Sequence, residues 1–331
     1  MAINDRCNEL RRQGRDIVKL GLGQSPFPVP GSVVEALRQH APQKDYLPVK
    51  GLIELREAIA RHHCRAFGIE CTAEDVLIGP GSKELMFLLQ LCYYGDLVIP
   101  SPAWVSYAPQ AKIVGRHISV LPTSIENDYQ PTADELDEFC RRDRGRPRIL
   151  VLNYPSNPTG RTLLHNRLQE LAEVAAYHHV IILSDEIYGK LHHEGNHESI
   201  VPICPETSIF SGGLSKWCGA GGWRLGLFVF PPRLRWLQNA MAAVGTETFT
   251  ATSAPIQYAA VRAFREGPDI DRYLGHTRRI LKALGGLLAR RLNETGTKVL
   301  APQGAFYLFP DFLTATGQTR AARYSHEQRY V

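Results

Sequence analysis

Three side chains in this 331-residue sequence have the chemistry of a Schiff-base site: the amine of Lys216, the carboxylate of Asp185 and the amide of Asn157. A partly desolvated lysine has a lowered pKa, which favours Schiff-base formation and later proton transfer. A carboxylate at the end of a strand can hold a ring nitrogen protonated, which makes that ring an electron sink. Asn157 lies between two prolines, so its side chain is held in a rigid turn.

A fourth feature is the segment Gly81-Ser82-Lys83, which opens a predicted helix. Backbone N–H groups at a helix N-terminus, together with the positive end of the helix dipole, bind phosphate. Combined with the amine, carboxylate and amide, this segment indicates a site for a phosphorylated, nitrogen-containing ring. Each feature alone also has a structural explanation: a helix cap for the glycine segment, a turn or cap for Asp185 and Asn157, and an exposed surface lysine for Lys216.

The elements that must position these side chains are short apolar runs alternating with amphipathic helices between about positions 75 and 245. The predicted strands are 76–78, 97–99, 149–152, 180–183, 208–210 and 225–229. Such alternation is typical of an α/β fold, with a mostly parallel sheet covered by helices on both faces. Ligands bind beyond the carboxyl ends of the strands in such sheets, which is where the four features fall.

The sequence after position 245 has a different pattern. It predicts helices over about 256–264 and 270–292, followed by short strands over 297–300 and 305–309. This order indicates a smaller α+β domain.

Composition and charge exclude several classes of protein. Apolar residues make up 44% of the chain and charged residues 21%, which is ordinary for a globular protein. The basic run 141–148 has no interleaved aromatic residues, so we interpret it as a solvated loop and expect no nucleic-acid partner. No apolar run is long enough to span a membrane, and the N-terminus lacks the apolar region of a secretory signal.

Seven cysteines without CxxC spacing favour reduced thiols and a cytoplasmic location. The His-rich segment 192–198 has ligand-type residues but lacks the H-E-x-x-H order. We interpret it as a solvated loop tip and expect no metal site.

The segment 211–226, SGGLSKWCGAGGWRLG, resembles the cofactor-lysine signature of class I/II aminotransferases, which are fold-type-I enzymes dependent on pyridoxal 5′-phosphate (PLP). In that signature an arginine follows the lysine by eight residues. The segments 154–160 (YPSNPTG), 184–188 (SDEIY) and 46–51 (YLPVKG) also match the family, in its order. The resemblance extends from about Cys7 to Phe312.

The resemblance implies a role for each matched residue. Lys216 would form the Schiff base with PLP and shuttle the proton, Asp185 would pair with the pyridinium nitrogen, and Asn157 and Tyr188 would hydrogen-bond the ring's phenolic oxygen. The phosphate would be held by Gly81, Ser82, Lys83, Ser215 and Arg224. Trp104 would stack on the ring, and Gly23 would lie near the substrate carboxylate. Tyr46 would reach the phosphate in a neighbouring subunit, which implies a homodimer.

The resemblance also implies two domains, a PLP-binding large domain over 31–265 and a small domain from 1–30 with 266–331. The family's chain continues well past its Gly-Ala-Phe-Tyr segment, here 304–307, and that part carries an arginine that grips the substrate carboxylate. The match fades after Phe312, so the small domain is expected to be incomplete. None of Arg320, Arg323 and Arg329 is assignable to that role.

Three functions are therefore open at this point. The first is transamination between an amino acid and a 2-oxo acid. The second is another fold-type-I PLP reaction, such as that of a β-lyase or a decarboxylase. The third is a PLP-binding chain with little or no turnover.

Overall fold

The computed structural model describes residues 2–21, 23–265 and 267–312, and its centre is a seven-stranded sheet. The strands are β1 Val76–Gly79, β2 Asp96–Ser101, β3 Ile118–Pro122, β4 Arg148–Asn153, β5 Ile181–Asp185, β6 Ser208–Gly213 and β7 Gly226–Val229. Their order across the sheet is β1-β7-β6-β5-β4-β2-β3.

Strand direction confirms a mostly parallel sheet. The run from β3 to β6 is parallel, whereas β7 pairs antiparallel with both β6 and β1. Because β7 is reversed on both sides, β1 runs in the same direction as β6. The carboxyl ends of β1, β4, β5 and β6 therefore share one edge with the amino end of β7, and five sequence segments converge there.

Helices cover both faces of the sheet, as the sequence predicts. The described helices are α1 Ala2–Arg12, α2 Gly31–His40, α3 Ile53–Phe67, α4 Ser82–Cys92, α5 Tyr107–Ile113, α6 Ala133–Arg141, α7 His165–Tyr177, α8 Arg235–Thr248, α9 Ala254–Phe264 and α10 Pro268–Glu294. Alternate residues of each strand face opposite layers. For example, Leu150 packs with α6 and α7 and its neighbour Val151 with α4 and α8.

The core is apolar on both sides of the sheet. One layer holds α4, α5 and α8 against Leu77, Leu183 and Phe228. The other holds α3 and α9 over β1 and β7, and α6 with α7 over β2, β4 and β5. Because the central strands are buried on both faces, their sequences read as continuous apolar runs and are recognisable without an alignment.

Two sequence predictions need correction. Segments 297–300 and 305–309 are not strands: the only pairings in this region are isolated bridges, His192 with Gly304 and Lys298 with Asp311, among the described residues. Pro302 and Pro310 have no backbone N–H to donate to a ladder. Conversely, β3 was not predicted, because its residues are only partly buried and lack a continuous apolar run.

The basic run 141–148 is mostly exposed, but its last member is not. Arg148 begins β4, is buried, and donates to the backbone oxygens of Arg146 and Asp143. All seven cysteines lie among the described residues and are unpaired. No described helix combines the length and apolar character needed to cross a membrane.

Candidate active site

Asp185 lies at the carboxyl end of β5 and is almost completely buried. Its carboxylate accepts hydrogen bonds from Tyr107 Oη at 2.5 Å and from Ser211 Oγ at 3.3 Å. Burial raises its pKa to about 6, against the lowering effect of these neutral donors and of Lys216. Within the described residues this carboxylate has no directly bonded cation, and a protonated ring nitrogen would supply one.

Asn157 is positioned by a neighbouring asparagine that the sequence analysis did not single out. Asn153, the last residue of β4, donates from Nδ2 to the carbonyl of Asp185 at 2.9 Å. Its Oδ1 accepts from the backbone N–H of Asn157 at 2.7 Å. One side chain therefore fixes the turn that carries Asn157 relative to the end of β5.

Lys216 enters the same edge from the loop after β6. Its Nζ donates to the carbonyl oxygen of Gly23 at 2.6 Å and lies 5.6 Å from the ring centroid of Tyr188. Burial lowers the pKa of Lys216, while the carboxylate of Asp185 acts in the opposite direction. A lysine of this kind is closer to its neutral, nucleophilic form than a surface lysine is.

Tyr188 and Tyr307 close the side of the cleft next to Lys216. Their hydroxyls are 2.6 Å apart, and burial raises the pKa of each. A Cβ on Gly23 would lie 2.0 Å from Tyr307 Oη, so only glycine fits at this position. Tyr307 thus comes from a distant part of the chain to lie against Gly23, whose carbonyl accepts from Lys216.

The start of α4 forms the far end of the cleft. Gly81 precedes α4 with φ of 96°, and the guanidinium of Arg224 lies against it: a Cβ on Gly81 would be 2.2 Å from Nη2. A Cβ on Gly226 would meet the backbone nitrogen of Ser82 at 2.0 Å. Glycines at these two positions let the first turn of α4, Arg224 and β7 approach one another, which produces a cradle of backbone N–H groups beside a guanidinium.

The remaining predicted residues take different positions around this edge. Ser215 is half-buried next to Lys216. Trp104 is half-buried, stands edge-on to Tyr107 at 5.3 Å, and has the Lys83 ammonium 5.5 Å from its ring centroid. Tyr46 is 89% exposed, so nothing within the described part of the chain covers it.

The histidine segment is only partly the solvated tip that the sequence predicts. Residues 194–196 and 198 are exposed, whereas His192 and His193 are buried and His197 Nε2 lies 2.7 Å from the carboxylate of Glu186. Glu186 also accepts from Ser184 and Ser199, so the segment folds back onto the residue after Asp185. The described residues contain no group of three or more His, Cys, Asp and Glu side chains arranged to hold a metal ion.

Comparison with known proteins identifies the family. The sequence model for aminotransferase class I and II matches residues 15–324. The chain belongs to this family. It is 31% identical to asparagine–oxo-acid transaminase of Streptococcus mutans, over 94% of this chain and 80% of that protein. It is 32% identical to aspartate/prephenate aminotransferase of Thermus thermophilus, again over 94% of this chain and 80% of that protein.

Solved aminotransferases have the same fold. Aspartate aminotransferase from Thermus thermophilus with maleate superimposes with a TM-score of 0.87 at 32% identity, covering 93% of this chain and 80% of that one. Aromatic aminotransferase from Pyrococcus horikoshii gives 0.85 at 30% identity, covering 97% and 86%. These matches confirm the fold-type-I architecture and show that the chain is an enzyme that catalyses transamination. They do not favour a β-lyase or decarboxylase reaction.

Proposed function

We propose that this aminotransferase binds PLP at the sheet edge described above and uses Lys216 to transfer the amino group of an amino acid to a 2-oxo acid. The observation that carries the proposal is the placement of Lys216 and Asp185 at one edge of the sheet, where an amine bonded to the Gly23 carbonyl and a buried carboxylate bonded to Tyr107 and Ser211 face one cleft. A ring with a basic nitrogen and an aldehyde complements both groups.

The cleft fits this cofactor at three points. In the part of the chain that the structure describes, the hydrogen-bond donors to Asp185 are neutral, so a pyridinium N–H would relieve the cost of its buried charge. The N-terminus of α4 with Arg224 suits a phosphate. Trp104, half-buried near Tyr107, supplies an aromatic face at the same edge. Asn157, Tyr188, Ser82, Lys83 and Ser215 are the other proposed contacts.

Bound there, PLP would supply an aldehyde for the Lys216 amine and an electron sink for negative charge at the α-carbon of the substrate. Asp185 would keep the ring nitrogen protonated, and Tyr107 and Ser211 orient the Asp185 carboxylate through their hydrogen bonds. Asn157 and Tyr188 are proposed to hydrogen-bond the ring's phenolic oxygen. Asn153 fixes the turn that carries Asn157.

Proton transfer is assigned to Lys216. When it is not bonded to PLP, the Lys216 Nζ would act as a base, and burial lowers its pKa. It lies 2.6 Å from the carbonyl oxygen of Gly23. The Gly23 backbone and Asn157 are proposed to lie beside the substrate carboxylate. Arg320, Arg323 and Arg329, which the sequence analysis left unassigned, are outside the described residues.

The relatives' names suggest aspartate as the first amino donor to test, because several of them are aspartate aminotransferases. We expect the purified chain with PLP to form oxaloacetate from aspartate when 2-oxoglutarate is the acceptor. The rate of oxaloacetate formation is measured by coupling to malate dehydrogenase. A panel of asparagine and aromatic donors defines the preference. Failure of every donor, with PLP demonstrably bound, would support the reading of a PLP-binding chain with little turnover.

A homodimer with shared sites is also proposed, because Tyr46 is exposed on the folded chain although it belongs to a motif shared with the family. The test mixes inactive Lys216→Ala chains with weakened Tyr46→Ala chains and lets the subunits exchange. Half of the dimers then contain one chain of each kind, and each of these holds one intact site, with Lys216 from one chain and Tyr46 from the other. The mixture should therefore regain about a quarter of wild-type activity. Activity equal to the mean of the two parents would contradict sharing.

The remaining proposals concern organisation. We assign residues 31–265 to a PLP-binding large domain and residues 1–30 with 266–331 to a small domain. A cytoplasmic location agrees with seven unpaired cysteines, all in the described part of the chain.

A further inference from the structure

A second cavity lies on the other side of the sheet from α4, between α3, α9 and α10. Its volume is about 360 Å³, which is within the usual range for small-molecule sites. Its floor is formed by β6 and β7, including Gly212 and Gly213. Ser211, the preceding residue, donates to Asp185, so this cavity and the candidate active site lie on either side of the same strand.

Aromatic rings form two walls of the cavity. On one side Phe67 and Phe210 are 5.8 Å apart, and His63 stands edge-on to both rings. Burial lowers the pKa of His63 to about 4, so this ring is neutral near pH 7. On the other side are Trp217 and Phe264, with ring centroids 6.4 Å apart. Such walls favour a planar apolar group.

Two basic residues, Lys190 and Arg278, line this cavity. The Lys190 ammonium lies 4.6 Å from the Trp217 centroid and 5.7 Å from that of Phe264. Arg278 donates from Nε to the backbone carbonyl of the same Lys190 at 2.8 Å, which brings the two residues together. Burial lowers the pKa of Arg278. Within the part of the chain that the structure describes, only Nε of Arg278 is hydrogen-bonded, and its terminal nitrogens can donate to a ligand.

Among the described residues, the carboxylates that line the cavity make no ion pair with Arg278. Glu186 accepts from Ser184, Ser199 and His197, so its oxygens are engaged elsewhere. Asp271 raises the pKa of Arg278 through space but makes no ion pair with it among the described residues. An anion on the terminal nitrogens of Arg278 would offset the cost of burying its guanidinium.

We propose that this cavity binds a small aromatic carboxylate, with the ring between the aromatic walls and the carboxylate on the terminal nitrogens of Arg278. The aryl group distinguishes such a ligand from inorganic phosphate, which would leave the aromatic walls unfilled. A planar carboxylate also matches the two parallel donors of a guanidinium. The site is separate from the one proposed for PLP, and its existence does not depend on that proposal.

The test is calorimetric titration of the full chain, saturated with PLP, with 3-phenylpropionate. Arg278→Met keeps the apolar stem and should weaken binding about ten-fold or more, since a charge-assisted hydrogen bond is lost. Ala66→Trp, at an exposed position on the cavity wall, should block entry. Arg141→Met, an exposed arginine of α6, serves as the matched control and should bind as the wild type does. The neutral 3-phenylpropionamide should bind at least ten-fold more weakly than the acid.

No measurable binding of the acid would overturn the proposal. So would binding that Arg278→Met and Ala66→Trp leave unchanged, because the acid would then occupy another place, such as the active site. Equal affinity for the acid and the amide would exclude the carboxylate contact. Thermal unfolding of each variant checks folding, and if Arg278→Met does not fold, Ala66→Trp and the amide decide the question.

Discussion

Replacing Lys216 by alanine is expected to reduce kcat for transamination by about 10²–10⁴-fold from the loss of the proton-transfer group alone. Burial lowers the pKa of the Lys216 amine, which donates to the Gly23 carbonyl at 2.6 Å. Lys83, another lysine of the predicted site, has its ammonium over Trp104 and does not take its place. The measurement is the initial rate with aspartate and 2-oxoglutarate at saturating PLP.

Lys190→Ala is the matched control for this experiment, because that lysine lies in the cavity across the sheet rather than in the cleft. We expect it to keep kcat within a few-fold of the wild type. Partial rescue of Lys216→Ala by added methylamine would show that the missing element is an amine base. A Lys216→Ala enzyme with undiminished kcat would remove this residue from the reaction.

Asp185→Asn is the second large expected effect. An amide cannot hold a ring nitrogen protonated as a carboxylate does, so the electron sink is weakened, and we expect kcat to fall by about 100-fold or more, as for the loss of a preorganised electrostatic contact in other enzymes. Asn has nearly the same shape, and Tyr107 can still donate to its oxygen. The comparison variant is Asp137→Asn, a carboxylate of α6 that pairs with Arg141 and His178 and should leave kcat unchanged.

Asp185→Asn, which is expected to lower kcat, should raise the stability of the PLP-free protein. The pKa of Asp185 rises from 3.8 to about 6 in the folded state, so folding penalises its ionised form. The free energy of unfolding therefore falls as pH rises from about 4 to about 6, and it stays low above pH 6. For a pKa shift of this size the decrease is about 3 kcal/mol. Asp185→Asn should raise the Tm of the PLP-free protein at pH 7.5 and have little effect on it at pH 4.

Adding PLP provides the control for this stability prediction. The cofactor should stabilise the wild type more than Asp185→Asn, because only the wild type supplies a carboxylate to the ring nitrogen. A PLP-free wild type that is as stable as Asp185→Asn at every pH would show that the carboxylate is not strained by burial. The prediction concerns Tm, so it is independent of any turnover.

The sequence was sufficient to locate the strands that carry the site, because strands buried on both faces read as unbroken apolar runs. Lys216, Asp185 and Asn157 follow three such runs, and the structure brings all three to one edge. Gly81 and Arg224 were also predicted from local motifs, and they meet because β7 runs antiparallel beside β1.

The residues that sequence reasoning missed act through long-range contacts. Tyr107 donates to Asp185 from 78 positions away, and Tyr307 meets Tyr188 across 119 positions, which no local pattern encodes. Asn153 was overlooked because it ends a strand and precedes the recognisable turn. The histidine segment was assigned to solvent because its composition is polar, whereas Glu186 provides a buried partner for His197.

Covalent capture of the cofactor at Lys216 tests the central claim most directly. The purified chain is incubated with PLP, reduced with borohydride, digested and examined by peptide mass spectrometry. We predict a reduced phosphopyridoxyl group on Lys216 and none on Lys83 or Lys190, together with loss of the modified peptide when Lys216 is replaced by alanine. A chain that carries the group on another lysine, or that carries none at saturating PLP, would contradict the account.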